Sequence, residues 1–183
     1  IIAWTVVCAC SSAHKEGSQK AVIPEINLSI EYPPGWSIDE STKVTDLAKG
    51  GIILQLIRTH NAPGSPRLTF ELIPLSTVAP TLDSLRLLAN NQRQALQKSP
   101  GLRFTETKSH KSQLAGNPSV QLSETYSLDS KPPKVSVSQI SILSVIHNRG
   151  IIITAAGRTE LFTPLAEELS VMLENAQVVE STP

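Results

Sequence analysis

The stretch VSVSQISILSVIHNRGIIITAAG (135–157) decides the fold. Within it, ISILSVI (140–146) and IIITAAG (151–157) are apolar runs that flank Asn-Arg-Gly at residues 148–150. This spacing predicts two long strands joined by a tight hairpin. Because residues 140–146 are apolar on both faces of the strand, the sheet that holds them needs a covering layer on each side.

Further strands are predicted upstream of this hairpin. Apolar and polar residues alternate over 26–32 and 67–72, as in strands with one buried face. The apolar run IILQLI (52–57) predicts a second strand buried on both faces. Two more strands are predicted on either side of a turn at residues 116–118 (Gly-Asn-Pro).

Two helices complete the pattern. The first is capped by Thr81, ends near Lys98, and has an apolar stripe made of Leu82, Leu85, Leu88, Ala89, Ala95 and Leu96. The second is opened by Thr163 and Pro164, and its apolar face comprises Phe162, Leu165, Ala166, Leu169, Met172, Leu173 and Ala176. On this face Leu169 is predicted to lie in the core, and the adjacent Glu168 to face solvent.

The order of elements is several strands, a helix, four strands and a helix. Hairpin-length links between strands predict an antiparallel sheet and not repeated βαβ units. The fold class is therefore predicted to be α+β, a three-layer α-β-α sandwich with a central antiparallel sheet and one main helix on each face. Residues 23–180 are expected to form this single domain.

The first ten residues, IIAWTVVCAC, resemble the end of a bacterial export signal. Residues 7–10 (Val-Cys-Ala-Cys) are similar to the lipobox of lipoproteins, in which the peptide is cut before an acylated cysteine. Residues 1–9 are thus interpreted as an N-terminally incomplete signal peptide, Cys10 as the site of lipid attachment, and residues 10–22 as a lipidated, flexible tether. Cys8 does not suit this role, because bulky Val7 would precede the cut.

Two other interpretations of this segment remain open. Residues 11–13 (Ser-Ser-Ala) could form an ordinary cleavage site that releases a secreted protein. Alternatively, Trp4 and residues 6–7 (Val-Val) could belong to a first core strand. We favour the lipoprotein, because the polar tract His14–Lys20 is typical of a tether.

Motifs of the common catalytic classes are missing from the sequence. It has no Gly-x-Ser-x-Gly elbow, no His-Glu-x-x-His pair, no phosphate-binding loop and no dinucleotide-type glycine pattern. Both cysteines lie within the first ten residues, which leaves the remainder without a thiol nucleophile or a disulfide. We therefore predict that the protein is not an enzyme, with no catalytic residue and no cofactor.

A metal site is not predicted either. Zinc sites usually contain closely spaced ligands, whereas the four histidines are scattered at His14, His60, His110 and His147. Asp39, Glu40 and Asp46 lie near Trp36, but no regular calcium loop frames them, and we interpret them as an acidic surface turn.

The charge balance argues against nucleic-acid binding. The 183 residues include 16 basic and 16 acidic side chains, so no net field attracts a polyanion. The charges are unevenly placed, however. The middle of the chain is basic, at Arg86, Arg93, Lys98, Arg103, Lys108 and Lys111, and the end is acidic, at Glu160, Glu167, Glu168, Glu174 and Glu180. We interpret these mainly as solvated faces, although such polarity could orient a docked partner.

The stretch EYPPGWSI (31–38) resembles the Tyr-Pro-x-Gly-Trp strand of the PsbP family, the extrinsic proteins of photosystem II. The motif residues are Tyr32, Pro33, Gly35 and Trp36. The layout of strands and helices is also similar to that of DcrB-like bacterial envelope lipoproteins and of a Ran-binding nuclear factor. The resemblance implies an α-β-α sandwich used for binding, and a lipid anchor in bacterial members.

Two departures from photosynthetic members argue against a photosystem role. Residues 151–153 are all isoleucine where those members tend to have aromatics, and residues 160–162 (Glu-Leu-Phe) replace their Arg-Trp. We expect a lipid-anchored extracytoplasmic module of the periplasm, cell surface or thylakoid lumen that docks on an envelope protein complex. A photosystem II extrinsic or assembly protein and a carrier of a small apolar ligand are the alternatives.

Overall fold

The computed structural model describes residues 17–43, 46, 48–58, 63–74, 79–128 and 134–179. Its elements, in chain order, are β1 (Gln19–Ile23), β2 (Leu28–Tyr32), β3 (Trp36–Ile38), β4 (Gly51–Arg58), β5 (Arg67–Leu72), α1 (Leu82–Gln97), β6 (Leu102–Leu114), β7 (Asn117–Leu128), β8 (Val135–Ile146), β9 (Arg149–Arg158), α2 (Thr159–Phe162), α3 (Ala166–Glu174) and β10 (Gln177–Val178). Short 3-10 turns follow β1, β3 and α2.

The large sheet has seven antiparallel strands in the order β3-β4-β5-β9-β8-β7-β6. The predicted β8–β9 hairpin lies near its centre, and the register pairs Ile142 with Ile153. The turn itself is His147-Asn148, with φ of 48° and 59°, one residue earlier than predicted. Two consecutive left-handed residues give the turn geometry that matches the twist of a two-residue hairpin.

Gly150 therefore lies in β9 and not in the turn. A Cβ atom at this position would lie 2.9 Å from Leu85 of α1 and 3.3 Å from Ile73. The absence of a side chain thus lets α1 approach the sheet closely.

A second sheet, with the order β1-β2-β10, was not predicted. Strand β1 pairs with β2 from Gln19 to Ile23, so the last four residues of the expected tether (19–22) are ordered in the domain. Strand β10 has only two residues and pairs with β2 at Ser29 and Leu28. Such short strands carry too few alternating positions to give a sequence signal.

The two faces of the large sheet are covered differently. We call the first the core face, where the buried cluster joins the sheet to β1, β2 and α3, with fully buried side chains such as Leu28, Ile30, Phe70, Ile153 and Leu169. We call the opposite side the α1 face, where Leu85, Leu143 and Ile152 form a small separate cluster. The structure is thus α+β with two main helices and two antiparallel sheets. The predicted three-layer sandwich has a single central sheet with one main helix on each face. It does not include the second sheet, which is formed by β1, β2 and β10.

Helix α1 has the predicted N-cap but buries less than predicted. Thr81 Oγ1 accepts a hydrogen bond from the Ser84 amide (3.1 Å), and Ser84 Oγ accepts one from the Thr81 amide (2.9 Å), which completes a capping box. Leu85 is its only fully buried residue. The stripe continues to Ala95 and Leu96 in sequence, yet both residues are exposed.

The C-terminal helical region is broken where the sequence predicted one helix. Pro164 lies in a 3-10 turn (Thr163–Leu165) between α2 and α3, where its ring replaces an amide donor. Thr163 Oγ1 donates to the carbonyl of Thr159, 2.8 Å away, and stabilises this junction. The predicted apolar face is largely confirmed: Phe162, Leu169, Met172, Leu173 and Ala176 are buried, and Leu165 and Ala166 pack against the cluster.

Candidate functional site

The motif residues of 32–36 connect the two sheets. Tyr32 ends β2, Trp36 begins β3, and both side chains are buried. Gly35 between them has φ of 91°, which L side chains rarely adopt, and a Cβ there would lie 3.1 Å from Arg58 Nη1. The glycine thus lets the chain pass from one sheet to the other beneath an arginine side chain.

Trp36 ties this turn to helix α3. Its indole Nε1 donates a hydrogen bond to Glu168 Oε1, 2.5 Å away. The Arg58 guanidinium lies over the indole ring, 5.4 Å from its centroid, and Arg58 Nη1 is 3.8 Å from the same Glu168 oxygen. The prediction that Glu168 faces solvent is therefore wrong, because this carboxylate closes a three-residue cluster.

Sequence reasoning did not identify Arg58, and it named Glu168 only as a solvent-facing residue of the acidic C-terminal part. Both lie far from Trp36 along the chain, and only the fold brings them together. One signal was present, since a buried indole N–H usually finds a hydrogen-bond acceptor. The sequence does not say which acidic residue provides it.

A groove of about 360 Å³ lies between the end of β2 and α3. We call it the docking groove. Tyr32, Met172 and Val171 give it an apolar surface, and Val171 is 45% exposed. Its charged lining residues are Glu31, Glu167 and Glu168, with no lysine or arginine among the described residues that line it. Of the three carboxylates, Glu168 is shared with Trp36 and Arg58, and Glu167 is exposed.

The N-terminal segment joins the domain at this groove. Ser18 lines it, and β1 begins at the next residue. Cys10 is eight residues before Ser18 in the sequence and lies outside the described residues, as do Cys8 and the whole of 1–16.

A larger cavity, of about 490 Å³, opens at the N-terminal end of α1. Apolar atoms provide most of its surface, from residues such as Ile73, Pro74, Leu85 and Leu88. This volume is in the range of small-molecule sites. The motif residues 32–36 take no part in it.

The remaining candidate residues are not brought together. His14 and His60 lie outside the described residues, His110 is exposed on β6, and His147 in the hairpin turn has Nδ1 3.2 Å from the Ile26 carbonyl oxygen. Among the described residues, no group of three or more His, Cys, Asp or Glu side chains is placed to hold a metal ion.

The acidic residues of the surface turn near Trp36 form hydrogen bonds and an ion pair with residues next to them in the chain. Asp39 caps a 3-10 turn by accepting from the Ser41 amide (3.0 Å) and hydroxyl (2.5 Å), and these bonds hold the pKa of its carboxyl below the ordinary value. Asp46 accepts from the Ala48 amide and pairs with Lys49.

No helix in the described part of the chain is long and apolar enough for a membrane span.

Comparison with known proteins gives structural matches alone. No family model matches the chain, and no curated protein is significantly similar in sequence. The solution structure of cyanobacterial PsbP (CyanoP) from Synechocystis sp. PCC 6803 matches with a TM-score of 0.65 and 10% identity, over 93% of this chain and 97% of that one.

Two further structures have the same fold. LpqN, involved in cell envelope biogenesis of Mycobacterium tuberculosis, matches with a TM-score of 0.54 and 14% identity, over 91% of this chain and 87% of LpqN. The Saccharomyces cerevisiae Ran-binding protein Mog1p matches with a TM-score of 0.54 and 8% identity, over 89% of this chain and 96% of Mog1p. The PsbP-like resemblance predicted from residues 31–38 is thus confirmed at the level of the fold.

Proposed function

We propose that this chain is a non-catalytic, lipid-anchored extracytoplasmic module that docks on an envelope or membrane protein complex. The docking groove carries the proposal, because it is acidic, partly apolar and adjacent to the point where the N-terminal segment joins the domain. The lipoprotein character, the likeness to DcrB-like proteins and the location outside the cytoplasm are parts of the same proposal.

The position of the groove suits a partner in the membrane. Ser18 lies eight residues after Cys10, and an extended chain over eight residue steps spans at most about 29 Å. A lipid on Cys10 would therefore hold the groove within one small-domain diameter of the bilayer. A diacylglycerol has two acyl chains, which is enough for stable anchoring.

The charge of the groove selects the kind of partner. Glu31 and Glu167 lie beside the apolar Val171 and Met172. A segment that presents lysine or arginine next to an apolar side chain complements this surface. We propose such a basic segment of a membrane protein as the occupant.

The structural neighbours support the proposal at a coarser level. Cyanobacterial PsbP and LpqN share this fold, and LpqN is described as involved in cell envelope biogenesis. At these identities the likeness supports the fold and does not carry a partner from one protein to another. A photosystem II extrinsic or assembly role remains the alternative within the same class.

Photo-cross-linking in native membranes tests the groove. A photoreactive residue at Val171 should give one defined adduct with a membrane protein, and the same residue at Leu87, exposed on α1, should not. Glu167→Lys should abolish the adduct by reversing the charge at the groove. Equal adducts from both positions, or an adduct insensitive to Glu167→Lys, would contradict docking through this groove.

Fractionation tests the anchor separately. Wild-type protein should stay with membranes at high salt and begin at an acylated Cys10 by mass spectrometry. Cys10→Ala should release it or leave it uncleaved, whereas the matched Cys8→Ala should change neither result. An unmodified N-terminus at His14 would instead indicate a secreted domain.

A carrier of a small apolar ligand is the second candidate, and the 490 Å³ cavity at α1 favours it. Native mass spectrometry of protein purified from membranes distinguishes the two functions. A stoichiometric lipid bound in addition to the covalent anchor would favour the carrier. A protein without bound lipid that still gives the Val171 adduct would favour the docking module.

A further inference from the structure

Strand β6 forms one edge of the large sheet and is unusually long for an edge strand. It has 13 residues, about twice the usual strand length, and among the described strands it pairs only with β7. All side chains over 105–111 are exposed. Strand β3, at the opposite edge, has three residues, and the first of them, Trp36, is buried. We call the open side of β6 the β6 edge.

The hairpin turn after β6 fixes the hydrogen-bonding pattern of the strand. Ala115 and Gly116 form this turn, with φ of 48° and 78°, and Leu114 and Asn117 are the pair that closes it. In a turn of this kind the carbonyl of the first residue accepts a hydrogen bond from the amide of the fourth. The pair Leu114–Asn117 is therefore a hydrogen-bonded pair of the ladder.

The remaining pairs follow from this one. Hydrogen-bonded and non-hydrogen-bonded pairs alternate along an antiparallel ladder, and the pairing is uninterrupted over 106–114. The pair of Gln113 with Pro118 is thus not hydrogen-bonded, and the Pro118 carbonyl instead accepts a bond from Ser144 on β8. The residues whose amides and carbonyls point away from β7 are Thr107, Ser109, Lys111 and Gln113.

These outward groups lack most of the usual protection of a sheet edge. An exposed edge can accept another strand, and proteins prevent this with prolines, bulges, short strands or charged side chains. Strand β6 contains no proline, and its bulge lies near its start, between Phe104 and Glu106. Over 107–113 the backbone is regular, which leaves charge as the property that selects what can pair there.

The charges of β6 are predominantly positive. The strand has three basic residues, Arg103, Lys108 and Lys111, and one acidic residue, Glu106. Lys108 Nζ lies 2.6 Å from Glu106 Oε1, so this carboxylate is already paired within the strand. An added strand therefore meets an edge with an excess of positive charge.

Helix α1 adds positive charge beside the same edge. Arg86 and Arg93 line a narrow space that exposed residues of β6 also line. The partner of Arg86 is Asp83, 3.7 Å away and 93% exposed, and such a surface pair is weak. Glu124 lines this space too, but its side chain is 10% exposed. The accessible charge on the α1 side of the β6 edge is thus mainly that of the two arginines.

From these observations we propose that the β6 edge binds an extended acidic segment of another protein, which adds to the large sheet as a further strand. The outward backbone groups of β6 pair with the segment and provide the affinity. Its carboxylates pair with Lys108 and Lys111, since opposite charges on neighbouring strands stabilise a sheet. A second copy of this chain is a poor occupant, because two copies of β6 would bring two basic edges together.

NMR titration of the protein with the acetylated, amidated peptide TVEEVET tests the proposal. Saturable binding should protect the amides of Thr107, Ser109 and Lys111 from hydrogen exchange, because these amides become paired only in the complex. The lysine counterpart TVKKVKT should not bind, and neither should TVEEVET methylated on alternate backbone nitrogens. Equal binding of the lysine peptide, or new protection confined to other parts of the domain, would overturn the proposal.

A pair of variants at one position separates backbone pairing from side-chain contact. Ser109→Pro removes an outward amide and keeps the ladder with β7, because proline is tolerated on the open side of an edge strand. This variant should bind the peptide at least about fivefold more weakly, whereas Ser109→Ala keeps the amide and should bind as the wild type does. Thermal melting confirms that both are folded. Unchanged binding by folded Ser109→Pro would exclude strand addition at this edge.

Charge variants test the choice of an acidic partner. Lys111→Glu should weaken binding of TVEEVET by about fivefold, because an attractive cross-strand pair becomes repulsive. Glu167→Lys, the change used for the docking groove, should leave this binding unchanged, since no residue that lines the groove lies on α1 or β6. Insensitivity to Lys111→Glu, or loss of binding by Glu167→Lys, would contradict the assignment to the β6 edge.

Analytical ultracentrifugation tests the other occupant. The protein should remain monomeric through the β6 edge at the concentrations of the titration. A dimer that Ser109→Pro dissociates and Ser109→Ala does not would show that a second copy occupies this edge, and would overturn the acidic segment as its partner.

Discussion

The two faces of the large sheet differ in how many apolar side chains they bury. On the core face, large apolar side chains such as Leu28, Phe70 and Leu169 are fully buried between the sheet, the small sheet and α3. On the α1 face, Leu85 is the single fully buried residue of a 16-residue helix, and polar side chains line the space beneath its second half. We infer from this difference that apolar burial on the core face provides most of the stability of the domain.

Because the two faces contribute unequally to stability, the α1 face can accommodate polar and charged side chains. Apolar burial contributes roughly 25 cal/mol per Å², so the extensive core face supplies most of the hydrophobic stabilisation. The α1 face can then hold partly buried carboxylates at Glu71 and Glu124 without unfolding the domain. Four measurements test this difference between the two faces, and they are given in decreasing order of expected effect.

The largest loss of stability is expected on the core face. Leu169→Ala should lower the free energy of unfolding by about 2–5 kcal/mol, because Leu169 is fully buried mid-helix and leaves a cavity. Chemical denaturation measures the change. Val171→Ala on the same helix is the control and should stay within about 0.5 kcal/mol, since Val171 is 45% exposed and lies outside the core. Equal losses at both positions would mean that the two faces of α3 are wrongly assigned.

A smaller loss is expected from the same substitution on the α1 face. Leu85→Ala should cost about 2 kcal/mol, at the low end of the range for Leu→Ala. Leu85 also lines the 490 Å³ cavity, so part of the vacated space is already open to solvent. Hydrogen exchange should show the loss concentrated in α1. A cost as large as that of Leu169→Ala would remove the distinction between the faces.

The junction between the motif and α3 should give the next effect. Trp36→Phe removes the indole donor to Glu168 and should cost about 1–3 kcal/mol. Glu168→Gln keeps an acceptor but removes the charge beside Arg58, and should cost less. The coupling between the two changes is read from a double-mutant cycle, with Glu167→Gln as the uncoupled control. Strict additivity of Trp36→Phe and Glu168→Gln would contradict the shared cluster.

The smallest effect concerns pH and belongs to the α1 face. Burial raises the pKa of Glu71 and Glu124 above the ordinary value of 4.5, so the folded state holds more protons than the unfolded chain just above that value. The free energy of unfolding should therefore be highest below pH 4.5 with respect to these groups, and fall as pH rises through their raised pKa values.

Charge-removing variants check the sign of this pH dependence. Glu71→Gln should flatten the profile of stability against pH, and Glu124→Gln should flatten it less, because Arg93 offsets part of the burial effect there. A steeper fall in the Glu71→Gln variant would show that its carboxylate is stabilised in the folded protein.

Local patterns predicted most elements of this fold. The period-two alternation of β5, the apolar run of β8, the cap at Thr81 and the buried face of α3 are all properties of neighbouring residues. Sequence reasoning failed where a strand is very short, as in β10, and where a residue of the predicted apolar stripe is exposed, as at Leu96. A periodic stripe shows which side of a helix is apolar, but not which residues of that side are buried in the folded protein.

By itself the sequence determined an antiparallel α+β domain with its likeness to PsbP, since hairpin spacing and side-chain periodicity are local properties of the chain. Only the tertiary structure decided what the polar residues do. It placed Glu168 on Trp36, made the docking groove from β2 and α3, and set Glu71 and Glu124 in the lining of one space beneath α1. Each of these depends on strand order and helix position. The physical reason is that a charged side chain has no periodic signature, and its environment is fixed by residues far away in the chain.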